Sequence, residues 1–140
     1  MTWEPEIQEL HHRIELAKKM GGEVANGTMY QLTESDALQP NLSILLHDQI
    51  PAVAPDDLLE LAPALVFEVV SSESAADLEW RLQLFLEKGT RAVLVAFTDS
   101  RSLRIFEPSG LSRLVRGEQK VEIDFLPGFS APASRFFEGL

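Results

Sequence analysis

Residues 62–97 constrain the fold of this chain more than any other stretch. Two apolar runs, at 64–70 and 91–97, enclose a segment with helical periodicity. Apolar runs of this length, bounded by turn residues, are typical of strands buried on both faces. The order strand, helix, strand predicts a parallel pair with a right-handed crossover and a helix packed on the sheet.

The predicted helix spans about residues 75–88. Leu78, Leu82 and Phe85 recur at helical spacing, so they form one apolar face that we expect to pack on the sheet. Gly89 follows directly, and glycine is the residue most often found just past a helix end.

Glu68 is the single carboxylate inside the first apolar run. Burying an ionised group is costly unless the group is paired, so its presence needs a reason. One interpretation places it near the strand end, paired with an arginine or with helix N–H groups. The other makes it a metal ligand or a general acid/base, because perturbed carboxylates concentrate at functional sites. The strand alone leaves both interpretations open.

The composition indicates one globular domain. The chain has 140 residues, 45% of them hydrophobic, which suffices for a substantial core. It contains no cysteine, which excludes disulfides, thiol catalysis and thiolate metal sites. No apolar stretch reaches the length of a membrane span, and the first ten residues are acidic where a signal peptide would be basic. We therefore expect a cytoplasmic protein.

The net charge argues against a general affinity for DNA. Twelve basic residues stand against 22 acidic ones, which gives a formal charge of −10. Proteins that bind nucleic acid use basic patches that release counterions from the phosphates. Any such patch here must be local. The candidates are the arginines of the C-terminal half, at positions 91, 101, 104, 113 and 116.

The remaining segments complete an α/β domain with a mixed central sheet flanked by helices. We predict further strands at 29–32, 42–46, 103–106, 114–115 and 121–125, with 91–125 forming a meander of short strands. Residues 47–63 are predicted to be a surface loop with one helical turn at 57–61.

The central motif resembles that of a known family. Residues 63–71 read P-x-L-V-x-E-V-x-S, and an acid, a basic residue, an aromatic and a glycine follow at Asp77, Arg81, Phe85 and Gly89. Pro-Asn-Leu-Ser-Ile at 40–44, Leu-Pro-Gly-Phe at 126–129 and Arg-Phe-Phe at 135–137 continue the likeness. Over residues 29–140 the chain resembles the Uma-two family of restriction endonucleases, in the PD-(D/E)XK superfamily. The resemblance implies a restriction-endonuclease-like fold.

The resemblance also implies a site. In the family two carboxylates hold Mg²⁺, a hard cation that takes oxygen ligands, and a lysine assists the attacking water. At the matching positions this chain has Asn41 for the aspartate, Glu68 for the glutamate and Arg81 for the lysine. Asn41 and Glu68 are the candidate metal ligands and Arg81 the third catalytic candidate. Asparagine brings no charge, and an arginine does not replace an ammonium group.

The resemblance therefore implies two functions. One is a catalytically degraded nuclease fold that serves as a binding or structural module without a cofactor. The alternative is an active Mg²⁺-dependent DNA endonuclease with an altered site, in which Asp36 or Asp77 supplies the missing carboxylate. For the first function we expect a Glu68–Arg81 bond in place of the metal.

The N-terminal region is predicted to be an amphipathic helix at residues 3–20. Ile7, Leu10 and Ile14 lie on one face, and we divide the chain into this segment, 1–22, and a core, 23–140. Residues 3–22 are also similar to the opening helix of acyl-CoA carboxyltransferase subunits. This second resemblance implies a third and least favoured alternative, in which the protein is a partner of an acyl-CoA carboxylase. The apolar residues of this helix and of the 47–63 loop lead us to expect a homodimer.

Overall fold

The computed structural model describes residues 22–25, 28–49, 58–71, 76–126 and 129–137. Its strands and helices follow in chain order: β1 (Gly22–Ala25), β2 (Met29–Gln31), β3 (Ala37–Leu38), β4 (Leu42–Leu46), a 3-10 turn (His47–Gln49), β5 (Leu58–Leu59), β6 (Leu65–Val70), helix α1 (Leu78–Glu87), β7 (Ala92–Phe97), β8 (Ser102–Phe106), β9 (Ser112–Val115), β10 (Lys120–Glu122), β11 (Ser130–Pro132) and a second 3-10 turn (Ala133–Phe137).

Six strands form the central sheet in the order β1-β4-β6-β7-β8-β9. The β6–β7 pair is parallel, with Leu65 opposite Ala92 and Val70 opposite Phe97. The other pairs of this sheet are antiparallel. The predicted parallel pair is therefore confirmed, and the domain is a single mixed α/β unit.

Strand β6 divides its side chains between the two faces of the sheet. Leu65 and Phe67 belong to the core on one face, called here the first face, and Val66 and Val70 to the core on the second face. Because side chains alternate along a strand, Glu68 emerges on the second face.

The first face is covered by the β10–β11 hairpin and the C-terminal 3-10 turn. The rings of Phe67 and Phe136 meet edge to face there, with centroids 6.1 Å apart and an interplanar angle of 76°. This arrangement is the preferred geometry for two aromatic rings. The closing Arg-Phe-Phe segment of the motif thus anchors the chain end to the sheet.

The second face is covered by α1 and by a small sheet of order β3-β2-β5. Leu82 and Phe85 are buried and Leu78 packs against them, as the predicted apolar stripe requires. The hydroxyl oxygens of Tyr30 and Ser43 lie 2.6 Å apart, which joins the small sheet to β4 through a buried hydrogen bond. Helix α1 and the small sheet therefore both pack on the face of the central sheet that carries Glu68.

Helix α1 ends where the sequence predicted. Gly89 has φ of 122°, a conformation that L-residues with side chains rarely adopt. The helix begins at Leu78, whereas about residue 75 was predicted, and residues 72–75 lie outside the described ranges.

Two of the predicted secondary-structure elements were wrong. The helical turn at 57–61 is instead the two-residue strand β5, which pairs in parallel with β2. Leu59 points into the core while Leu58 is exposed, and this two-residue alternation fits a strand. The strand predicted at 121–125 is β10, and it pairs with β11 rather than continuing the meander. The hydrogen bond from the Leu126 N–H to the Ile123 carbonyl closes a turn at that point.

Strand β1 was not predicted. It runs from Gly22 to Ala25 and pairs antiparallel with β4. The sequence Gly-Glu-Val-Ala has low strand propensity, so β4 supplies the reason for its extended form. The helix predicted at 3–20 lies outside the described residues. Among the described helices, none has the length and apolar character needed to cross a membrane.

The hydroxyl of Thr90 offers a test of the core packing. Thr90 is fully buried, and its Oγ1 has no hydrogen-bond partner among the described residues. Thr90→Val replaces this hydroxyl with a methyl group of similar size, so we expect the free energy of unfolding in urea to rise by about 1 kcal/mol. Thr98→Val is the control, because Oγ1 of Thr98 donates to the Val70 carbonyl at 3.3 Å and its removal should not stabilise. A clear loss of stability in Thr90→Val would contradict this packing.

Candidate functional site

Glu68 lies near the end of β6, on the face covered by α1. Its side chain is only 8% exposed. The three residues before it, Leu65, Val66 and Phe67, are buried and apolar. Glu68 is therefore a charged residue that directly follows a buried apolar segment. A carboxylate in this place needs a partner, and the crossover helix is the nearest element that can provide one.

Arg81 is that partner. Its Nη2 donates to Oε1 of Glu68, and the two side chains form an ion pair. Arg81 belongs to the first turn of α1, where its backbone N–H donates to the Asp77 carbonyl at 3.1 Å. The arginine side chain is 21% exposed, so the pair sits at the rim of the buried region. The expected Glu68–Arg81 contact is therefore present.

Asn41 lies beside Glu68 because of the strand register. Leu42 is opposite Phe67 in the antiparallel β4–β6 pair, so Asn41 is one position further, next to Glu68. Its Oδ1 accepts a hydrogen bond from the Val69 backbone N–H at 2.8 Å. The other terminal atom of the asparagine is an amide nitrogen, which donates hydrogen bonds and does not ligate cations. The structure thus brings all three predicted residues together.

A cleft with a volume of about 230 Å³ opens at the ion pair. Glu68 and Arg81 line it together with Asp77, Leu78 and two valines, Val69 and Val70. Asp36 does not line this cleft. Its Oδ2 accepts from the Thr33 hydroxyl at 2.7 Å, in the turn between β2 and β3. Of the two substitute carboxylates considered from the sequence, Asp77 is the one beside Glu68.

Burial controls the protonation of Glu68. It raises the pKa of the Glu68 carboxyl above its usual value, and the negative charge of Asp77 adds to the rise. The hydrogen bond and the positive charge of Arg81 act in the opposite direction and do not fully offset the burial. Glu68 is therefore a carboxylate whose charge depends on Arg81.

The two predicted metal ligands, Asn41 and Glu68, are both engaged by other groups of the protein. Mg²⁺ takes oxygen ligands at near-octahedral geometry, usually with one or two carboxylates. Oε1 of Glu68 is taken by the arginine, and Oδ1 of Asn41 is taken by the backbone of β6. Across the described ranges, no group of three or more Asp, Glu, His or Cys side chains is placed to hold a metal.

Sequence reasoning missed two features around the site. One is the hydrogen bond that the Val69 N–H donates to Oδ1 of Asn41. Through it, a residue predicted as a metal ligand links the end of β4 to β6. The other is Ser43, which lies two residues from Asn41 on the same face and meets the Tyr30 hydroxyl. The two-residue spacing of Asn41 and Ser43 places them on one face, but Tyr30 belongs to another sheet and no local pattern points to it.

These features define a mixed α/β domain with a nuclease-like fold and one buried carboxylate at the end of its central parallel pair. Comparison with known proteins agrees. The model of the Uma2 (Uma-two) family, described as "Putative restriction endonuclease", matches residues 7–134. The chain belongs to this family.

A solved structure also resembles the fold. The crystal structure of a protein from Anabaena variabilis, titled a "putative nuclease belonging to DUF820", has a TM-score of 0.81. The match covers 94% of this chain and 77% of that chain at 13% sequence identity, so it shows the fold and not the chemistry. Among curated proteins, none matches the sequence.

The ion pair predicts a pH-dependent effect of Arg81→Met. Without the arginine, the Glu68 pKa rises further, so the native protein binds an extra proton over a wider pH range than the unfolded chain does. The stability of the variant should therefore fall as pH rises through that range. We expect a loss of about 2–3 kcal/mol at pH 8 and a much smaller one near pH 4, where Glu68 is protonated. Urea unfolding of the wild type and the variant between pH 4 and pH 8 measures this difference in the free energy of unfolding.

The control for this measurement is Arg81→Met in a Glu68→Gln background. Glutamine cannot ionise, so the cost of removing the arginine should become independent of pH. A loss with the same pH dependence in both backgrounds would contradict the assignment to Glu68.

Proposed function

We propose that this protein is a restriction-endonuclease-like domain that does not cleave DNA and serves as a binding or structural module. The observation that carries the proposal is the ion pair between Arg81 and Glu68. It satisfies the one carboxylate that remains from the family's site, and a cation must displace the arginine before it can bind there.

Asn41 adds to this support. An aspartate in its place could accept the Val69 N–H with one oxygen and keep a second, charged oxygen for a metal. Asn41 has one oxygen, which is uncharged and already accepts that hydrogen bond. Both replacements therefore act in the same direction: one removes a negative ligand and the other adds a competing cation.

The net charge of the chain argues against DNA as its partner. The formal charge of −10 opposes association with phosphates at low salt. The cleft itself is lined by two carboxylates, Glu68 and Asp77, against one arginine. This excess of acidic groups disfavours a phosphate in the cleft.

The second candidate is an active Mg²⁺-dependent endonuclease with an altered site. The position of Asp77 favours it, because Asp77 lines the same cleft as Glu68 and could bring a second carboxylate. This function requires Arg81 to leave Glu68 when the metal arrives.

Cleavage and metal binding distinguish the two candidates. We expect wild-type protein to leave supercoiled plasmid intact with Mg²⁺ or Mn²⁺, and calorimetry to record no saturable binding of either ion. If wild-type protein cleaves DNA and Glu68→Ala abolishes the activity, the second candidate is correct and the first is wrong.

Restoring the family residues provides the positive test. Asn41→Asp with Arg81→Lys returns a charged oxygen ligand and replaces the guanidinium by an ammonium group. We expect this double variant to bind Mn²⁺ in calorimetry where the wild type does not. Adding Glu68→Gln to the pair is the matched control and should abolish that binding. A double variant that folds, as judged by circular dichroism, and still fails to bind would mean that the site differs in more than these two residues.

We also propose that the protein is a homodimer. Met29 and Leu58 are neighbours in the parallel β2–β5 pair and are 38% and 45% exposed. An apolar pair open to solvent supports contact with a second copy. Light scattering at micromolar concentration should give about twice the chain mass of 15.6 kDa.

The matched variants for the dimer replace exposed apolar residues by serine. Met29→Ser with Leu58→Ser should shift the mass towards the monomer. Leu111→Ser with Leu114→Ser, of which Leu114 lies in β9 and Leu111 directly precedes it, should leave the mass unchanged. A wild-type protein that is monomeric in this assay contradicts the proposal.

A further inference from the structure

A second pocket, with a volume of about 120 Å³, lies on the first face of the sheet. The Glu68 cleft is on the second face, so the two are separated by the sheet. The floor of the pocket is apolar, formed by Ala92, Ile105 and Ile123, all at least 95% buried. Its volume is below the roughly 300–1,000 Å³ of sites for drug-sized ligands, so it suits a smaller molecule.

Two arginines stand on the rim of this pocket. The guanidinium carbon of Arg91 is 5.6 Å from the centroid of the Phe125 ring, a cation–π contact. Nη2 of Arg113 donates to the backbone carbonyl of Glu122 at 3.2 Å. These contacts hold both cations at the pocket and leave most of their N–H donors without an acceptor in the described part of the chain.

Three carboxylates share the same rim: Glu107, Glu122 and Asp124. Within the described residues, none of the three side chains forms a hydrogen bond or an ion pair within 4.0 Å. Charges of both signs therefore line one small pocket without pairing with each other. A ligand with charges of both signs can contact both sets, whereas a ligand of one sign can contact only one.

We propose that this pocket binds a small zwitterion of the α-amino-acid type. The carboxylate of the ligand meets Arg91 and Arg113, for which a carboxylate is the geometric complement. Its ammonium group meets the three acidic side chains. Its side chain lies on Ile105 and Ile123, so an aliphatic amino acid is the expected ligand. This site does not depend on the state of the Glu68 cleft.

Three probes that share the four-carbon isobutyl framework test the charge requirement. L-Valine carries both charges, isovalerate lacks the ammonium group and isobutylamine lacks the carboxylate. We expect L-valine to shift the amide resonances of Ile105, Ile123 and Phe125 in a heteronuclear NMR titration of the full chain. The other two probes should bind at least tenfold more weakly, since each loses one set of contacts.

Variants connect the binding to the pocket. Arg113→Gln and Glu107→Gln change exposed side chains and should each weaken L-valine binding at least tenfold. Arg116→Gln and Glu87→Gln are the matched controls, because these exposed residues do not line the pocket, and they should have no effect.

Three outcomes would overturn the proposal. Equal binding of isovalerate would make the pocket an anion site, and equal binding of isobutylamine would make it a cation site. No resonance shift with L-valine at 50 mM, about 50-fold above a 1 mM dissociation constant, would show that the pocket holds no such ligand.

Discussion

The ion pair between Glu68 and Arg81 is the interaction on which the organisation of this domain depends. A buried carboxylate in a central strand is tolerated only with a charged or hydrogen-bonding partner. The parallel β6–β7 pair requires a connection across one face of the sheet, and α1 lies on the face to which Glu68 points. The topology thus places Arg81 beside Glu68, and the pair lines the cleft on this face of the sheet.

The two replacements at the family's site change its electrostatics together. Asparagine at 41 brings no negative charge beside Glu68, so the attraction for a cation at this point is weaker than with an aspartate. Arginine at 81 then neutralises the remaining carboxylate from within the protein. Asn41 also has a structural role. Its hydrogen bond with Val69 continues the contact between β4 and β6 one residue beyond the paired positions, which begin at Leu42. Both Glu68 and Asn41 are thus engaged by other groups of the protein.

Much of the core and of the site was predictable from local patterns. The strands at 42–46 and 65–70 and the stripe of Leu82 and Phe85 follow from apolar periodicity. The residues of the site followed from the family resemblance, and their convergence followed from the topology, because a strand end and the next helix turn are close in a parallel crossover. What failed depended on strand pairings that no local pattern specifies. Strand β1 takes its form from β4, β5 from β2, and β10 pairs with a strand near the chain end. Short segments with weak propensity do not encode such partners.

We propose that Arg81 occupies the place of a metal at Glu68. Crystals of the wild-type protein soaked in millimolar Mn²⁺ test this directly, because manganese is located by its anomalous scattering. We expect no anomalous peak within ligand distance of Glu68, with the arginine still bonded to the carboxylate. A manganese ion bound to Glu68 with Arg81 turned away would contradict it.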